Sequence, residues 1–116
     1  MPEINEVQVQ PDITVLEISA ELLGVDDKNT IVENVQRLVQ QGKVNIILDL
    51  QKVDYLNSTG LGGLIGSLTA VRKSSGKLVL CAPNNRVLRI LDLTKMTAIF
   101  SIFATRDDAI LSISNK

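Results

Sequence analysis

Val44, Ile46, Ile47, Leu48 and Leu50 form an apolar run broken only by Asn45 and Asp49, and this run constrains the chain more than any other feature. Nearly continuous apolar runs belong to strands covered on both faces, so the segment is central in a sheet. A turn must follow, and after residues 51–56, with Tyr55 read as a half-buried strand-end residue, come Asn57, Ser58, Thr59 and Gly60. Asparagine, serine and threonine accept hydrogen bonds from the free amides at a helix start. Leu61, Leu64, Ile65, Leu68 and Val71 then recur at helical spacing. A buried strand thus delivers the chain to the surface, and a helix begins there with hydroxyls at its positive end.

The flanking segments repeat this alternation. Residues 6–10 alternate polar and apolar, Pro11-Asp12 interrupts, and residues 13–20 resume an extended, β-branched pattern, which reads as a hairpin. Residues 21–28 are irregular and acidic. Thr30 to Glu33 forms a capping box for a helix with the stripe Ile31, Val32, Val35, Leu38 and Val39, and Gly42 stands where that helix stops. Beyond the second helix, Ser74-Ser75-Gly76 closes it and residues 77–82 make another apolar strand. Pro83-Asn84-Asn85 opens a short helix that buries Val87, Leu88, Ile90 and Leu91. Residues 98–104 form a last strand, and Thr105 to Asp108 caps a terminal helix. The order β-β-α-β-α-β-α-β-α implies an α/β fold, one domain over residues 1–116 with a mixed, mostly parallel sheet.

Composition removes several function classes. With no histidine and the single cysteine Cys81, the chain lacks the usual general base and the ligands of a zinc or thiolate site, so neither metal nor cofactor nor catalysis is expected. A net charge of −1 without a basic stripe, and only Tyr55, Phe100 and Phe103 as aromatics, argue against nucleic acid. Neither a secretory leader nor an apolar run long enough to cross a bilayer is visible, so the expected location is the cytosol, away from the membrane.

Gly60, Gly62, Gly63 and Gly66 need a reason, because each glycine inside a helix costs about 1 kcal/mol relative to alanine. One reading is that Gly63 or Gly66 lets the helix press on its own sheet; the other is that outward glycines leave a bare surface for a partner's backbone. A dinucleotide fingerprint fails because Ile65 stands where the third glycine belongs, and no Gly-Lys-Ser/Thr follows for a P-loop. Asn57, Ser58 and Thr59 likewise serve either as simple helix caps or as a site of modification.

The strand, then Val53-Asp54-Tyr55-Leu56-Asn57-Ser58-Thr59-Gly60-Leu61-Gly62, then an amphipathic helix, resembles the signature of STAS-domain anti-sigma factor antagonists, approximately D-[ST]-[SATG]-G-L-G. The Leu78 to Ala82 strand, the Val87 to Leu91 helix and the Phe100 strand fall in that family's order, so the resemblance covers residues 13–113. It implies a single STAS domain whose serine, directly after the acidic residue, is phosphorylated by a kinase that is itself the anti-sigma factor and restored by a metal-dependent serine phosphatase. Carried over, the acceptor is Ser58, with Thr59 as the alternative, and Asn57 stands where the family has aspartate. The implied partner-binding residues are Asn57, Ser58, Thr59, Gly60, Gly62, Gly63 and Gly66. Unphosphorylated, the domain would bind the kinase and release the sigma factor; phosphorylation would end that binding. A second expectation keeps the fold and drops the switch, making the chain an STAS scaffold or accessory module in a signalling or transport complex.

Overall fold

The structure is a computed structural model that describes residues 3–22 and 25–114. Strands β1 (Glu3–Gln10), β2 (Ile13–Leu22), β3 (Asn45–Leu56), β4 (Lys77–Cys81) and β5 (Ile102–Phe103) form one sheet in the order β1-β2-β3-β4-β5. The β1–β2 hairpin is antiparallel and every later pairing is parallel. Helices α1 (Val25–Gln40), α2 (Ser58–Lys73), α3 (Asn85–Leu93) and α4 (Arg106–Ser114) follow β2, β3, β4 and β5 in turn. The expected element order holds.

Because each crossover steps to the next strand in the same direction, right-handed connections bring α1, α2 and α3 to one face. Ile31, Val35 and Leu38 of α1, Leu64 and Val71 of α2, and Val87 and Leu91 of α3 accordingly share one core with Leu16, Ile46, Leu48 and Leu50. α4 covers the opposite face, where Ala109 and Ile113 pack on Ile13, Val15, Ile47, Val79 and Cys81. β3 is thus buried on both faces, as its apolar run requires. On the α4 side Asp49 is 5% exposed, and its carboxylate accepts from Arg106 Nη2 at 2.7 Å and Nε at 3.1 Å. Arg106 also pairs with Glu17, so one guanidinium ties α4 to two strands.

Four boundaries differ from the sequence expectations. β3 continues well past its apolar run to Leu56, and its pairing with β2 slips twice, between Glu17 and Ser19 and between Ala20 and Leu22. Each slip inserts an extra residue into β3, a bulge that keeps Leu50, Val53 and Leu56 on the buried side at a spacing of three instead of two. That spacing hides the strand. Residues 21–28 are largely regular, since β2 runs to Leu22 and α1 begins at Val25. Thr30 therefore lies inside α1 rather than capping it, and its hydroxyl donates to the Asp26 carbonyl at 2.8 Å, the alternative partner for a mid-helix threonine. Of residues 98–104 only Ile102 and Phe103 are strand. Lys95 takes a left-handed conformation (φ 63°), Met96–Ala98 forms a 3-10 turn, and Phe100 donates its amide to Met96, which curls the segment and drops the Phe100 ring into the helical-side core. In α3, Val87 and Leu91 are buried but Leu88 is 40% exposed.

Candidate functional site

The site is built where β3 ends. Leu56 is buried, Asn57 is extended (φ −113°, ψ −169°), and α2 starts at Ser58. Asn57 alone is the N-cap: its Oδ1 accepts from the Gly60 amide at 3.1 Å and its carbonyl accepts from Leu61 at 2.9 Å. Ser58 is thereby the first residue of α2 and is exposed, Thr59 behind it is half-buried, and Gly60 is buried. The amides of the first turn face this end and carry the positive pole of a helix of 16 residues. No acidic side chain lies in that turn to offset it.

Ser58, Gly62, Ile65, Gly66 and Thr69 fall on one stripe of α2, spaced by three and four residues, and each is exposed or half-buried. Ile65, one of the apolar residues at helical spacing, is 39% exposed in the middle of this stripe. Beside it lies α1. A Cβ on Gly63 would stand 3.2 Å from the Lys28 Cα, and one on Gly66 would stand 3.1 Å from the Val32 Cγ2. These glycines let α2 press against α1, not against the sheet as the sequence suggested. Gly60 and Gly63, both among the residues expected to meet a partner, are buried, Gly63 beneath α1. Gly62 faces the Lys28 side chain, whose Cε and Nζ are both 3.6 Å from its Cβ position.

A second helix start adjoins the first. Asn84 caps α3 by accepting from the Val87 amide at 2.7 Å, and its Nδ2 donates to the Val53 and Asp54 carbonyls at 3.1 and 3.3 Å. The N-termini of α2 and α3 are thus held together over the carboxyl ends of β3 and β4, where open α/β sheets place their sites. Asp54, Asn84, Asn85 and Arg86 line a shallow open recess there, and Tyr55, the next residue of β3, is 38% exposed. The sequence reading placed Asn84 at a helix start but missed its bonds to the end of β3, and it passed over Lys28. Asn84 had a signal, a capping residue after Pro83; Lys28 had none, because its position over Gly62 exists only after α1 and α2 pack.

Away from this end, Cys81 is fully buried, and burial followed by the nearby Asp49 charge pushes its thiol up to about 12, so it stays protonated. Among the described residues no group of histidine, cysteine, aspartate or glutamate could hold a metal ion, and no helix is long and apolar enough to cross a membrane.

Residues 5–109 match the family model of the STAS domain. The anti-sigma-B factor antagonist of Listeria monocytogenes is 36% identical over 66 residues, which covers 55% of this chain and 58% of that relative, less than two thirds of its length. A Thermotoga maritima protein provisionally described as an anti-sigma factor antagonist has a crystal structure that superposes with a TM-score of 0.86 at 25% identity, covering 96% of this chain and 94% of that one. The Bacillus cell fate determinant SpoIIAA, solved in its phosphorylated form, superposes with a TM-score of 0.71 over 93% of this chain and 96% of its own; at 18% identity this likeness is one of fold.

Proposed function

Since the chain belongs to the STAS domain family, with anti-sigma factor antagonists among its relatives, we propose that it is a regulatory binding protein of that kind, acting in the cytosol and without catalysis of its own. Unmodified, it docks on an anti-sigma factor serine kinase through the start of α2 and frees the sigma factor. The kinase ends the contact by transferring the γ-phosphoryl of ATP to Ser58. An O–P bond forms at Oγ, the bond to the β-phosphate oxygen breaks, ADP leaves, and the hydroxyl proton passes to the kinase. A metal-dependent serine phosphatase reverses the step by hydrolysis, releasing inorganic phosphate.

The observation that carries this reading is the placement of Ser58, exposed at the first position of α2. A phosphoryl group adds a charge of about −1.5 to −2 at a helix end that favours anions, so the fold tolerates it. Docking does not. Around Ser58 the stripe of Gly62, Ile65 and Gly66 has no charged side chain of its own and is bordered by the single cation of Lys28, so a partner seated on it would have to strip water from a dianion that one lysine offsets only in part. Asn57 in place of aspartate keeps the cap hydrogen bond to Gly60. Thr59, half-buried behind Ser58, is the less accessible hydroxyl. Incubation with the cognate kinase and ATP, followed by mass spectrometry, should locate phosphate on Ser58; a protein left unmodified at both Ser58 and Thr59 would overturn the switch.

A further inference from the structure

We propose that the Lys28 ammonium is the intramolecular counter-charge for a phosphoryl group on Ser58, holding it against the seam between α1 and α2. This rests on the reading that Ser58 is modified, and adds the residue that meets the modification.

The argument starts from Gly62. Lys28 Cε and Nζ both lie 3.6 Å from where a Gly62 Cβ would stand, so the lysine stem crosses α2 through space that a larger side chain would fill. Its root is fixed, because the Lys28 Cα packs 3.2 Å from the Cβ position of Gly63. Ser58 is one turn before Gly62 on the same face, where Cβ positions four residues apart are about 5–6 Å from each other. Side chains lean toward the helix start. A phosphoryl group on Ser58 Oγ reaches beyond its Cβ, and the ammonium of a flexible lysine rooted over Gly63 and ending over Gly62 swings across the remainder. None of the ion pairs among the described residues uses Lys28, and the first turn of α2 contains no carboxylate to compete for it. Once paired, the phosphoryl group bridges α1 to α2.

The test uses the full chain with phosphoserine installed at position 58 during translation, so it is independent of whether any kinase modifies Ser58. The second ionisation of the phosphate is followed by phosphorus NMR against pH in the otherwise native chain and in Lys28→Gln and Lys28→Arg variants. The contribution of the helix end is common to all three and cancels. Loss of the cation should raise the phosphate pKa by about half a unit in Lys28→Gln, with Lys28→Arg restoring it and about 1 M salt erasing the difference. Identical titrations, within about 0.1 unit, in the native and Lys28→Gln chains would overturn the proposal. Should Lys28→Gln fail to fold, the native phosphorylated chain decides: its Lys28 side-chain nitrogen resonance should follow the phosphate titration, and a resonance indifferent to it refutes the pairing.

Discussion

Replacing Gly62 and Gly63 by alanine, one at a time, should move stability in opposite directions although the two are neighbours on α2. Both substitutions gain the same helix propensity, about 1 kcal/mol. At Gly62 the new methyl would meet the Lys28 side chain at 3.6 Å, an ordinary contact with a flexible group, so most of that gain survives. At Gly63 it would meet the Lys28 Cα at 3.2 Å and the Lys28 carbonyl oxygen at 3.5 Å, and backbone yields only if α1 moves. Overpacking of this kind costs about 1–3 kcal/mol, which leaves Gly63→Ala about 1 kcal/mol less stable than the parent and about 2 kcal/mol below Gly62→Ala. Urea unfolding followed by circular dichroism measures this directly, and in a heating scan each kcal/mol corresponds to roughly 3–5 °C for a chain of this size. Equal shifts, or Gly63→Ala the more stable, would refute the claim that Gly63 is the seat of α1.

Asn57→Ala should lower stability by about 1 kcal/mol through loss of the cap to Gly60, whereas Asn57→Asp keeps the acceptor, adds a charge at the helix start and should match or exceed the parent in urea unfolding. Arg106→Met should cost about 3 kcal/mol at neutral pH, because it leaves the buried Asp49 carboxylate without its cation. The same variant should flatten the acid limb of the stability curve. Hydrogen bonds from Arg106 first, then Asn5, hold the Glu17 carboxyl below its ordinary 4.5. A depressed folded value means stability that is present above 4.5 and lost as pH falls through the folded pKa, and unfolding midpoints between pH 6 and pH 3 should record a smaller loss in Arg106→Met.

The β/α alternation, the parallel sheet and the α2 start at Ser58 were legible because each rests on local pattern: an unbroken apolar run, a helical period, a cap residue. What was hidden is tertiary. The second half of β3 carries Leu50, Val53 and Leu56 at intervals of three, and only the paired strand β2 reveals the bulges that make such an interval face one way. The strand expected around Phe100 curls inward because of a left-handed Lys95, a conformation that nothing about lysine announces. The glycines of α2 were recognised as needing a close neighbour, but α1 cannot be distinguished from the sheet before packing is known. Ser58 was singled out by family resemblance and by its place at a helix start; the lysine over Gly62 comes from another helix and leaves no mark on the local sequence.

The most direct measurement of the central claim is the dissociation constant of the cognate anti-sigma factor kinase for the unmodified chain and for the chain phosphorylated at Ser58, both confirmed folded. Stripping water from a dianion that a single lysine offsets only in part costs about 3 kcal/mol, so phosphorylation should weaken binding by roughly 100-fold. Equal affinity for the two forms would contradict the account of α2 as a docking surface switched by its first residue.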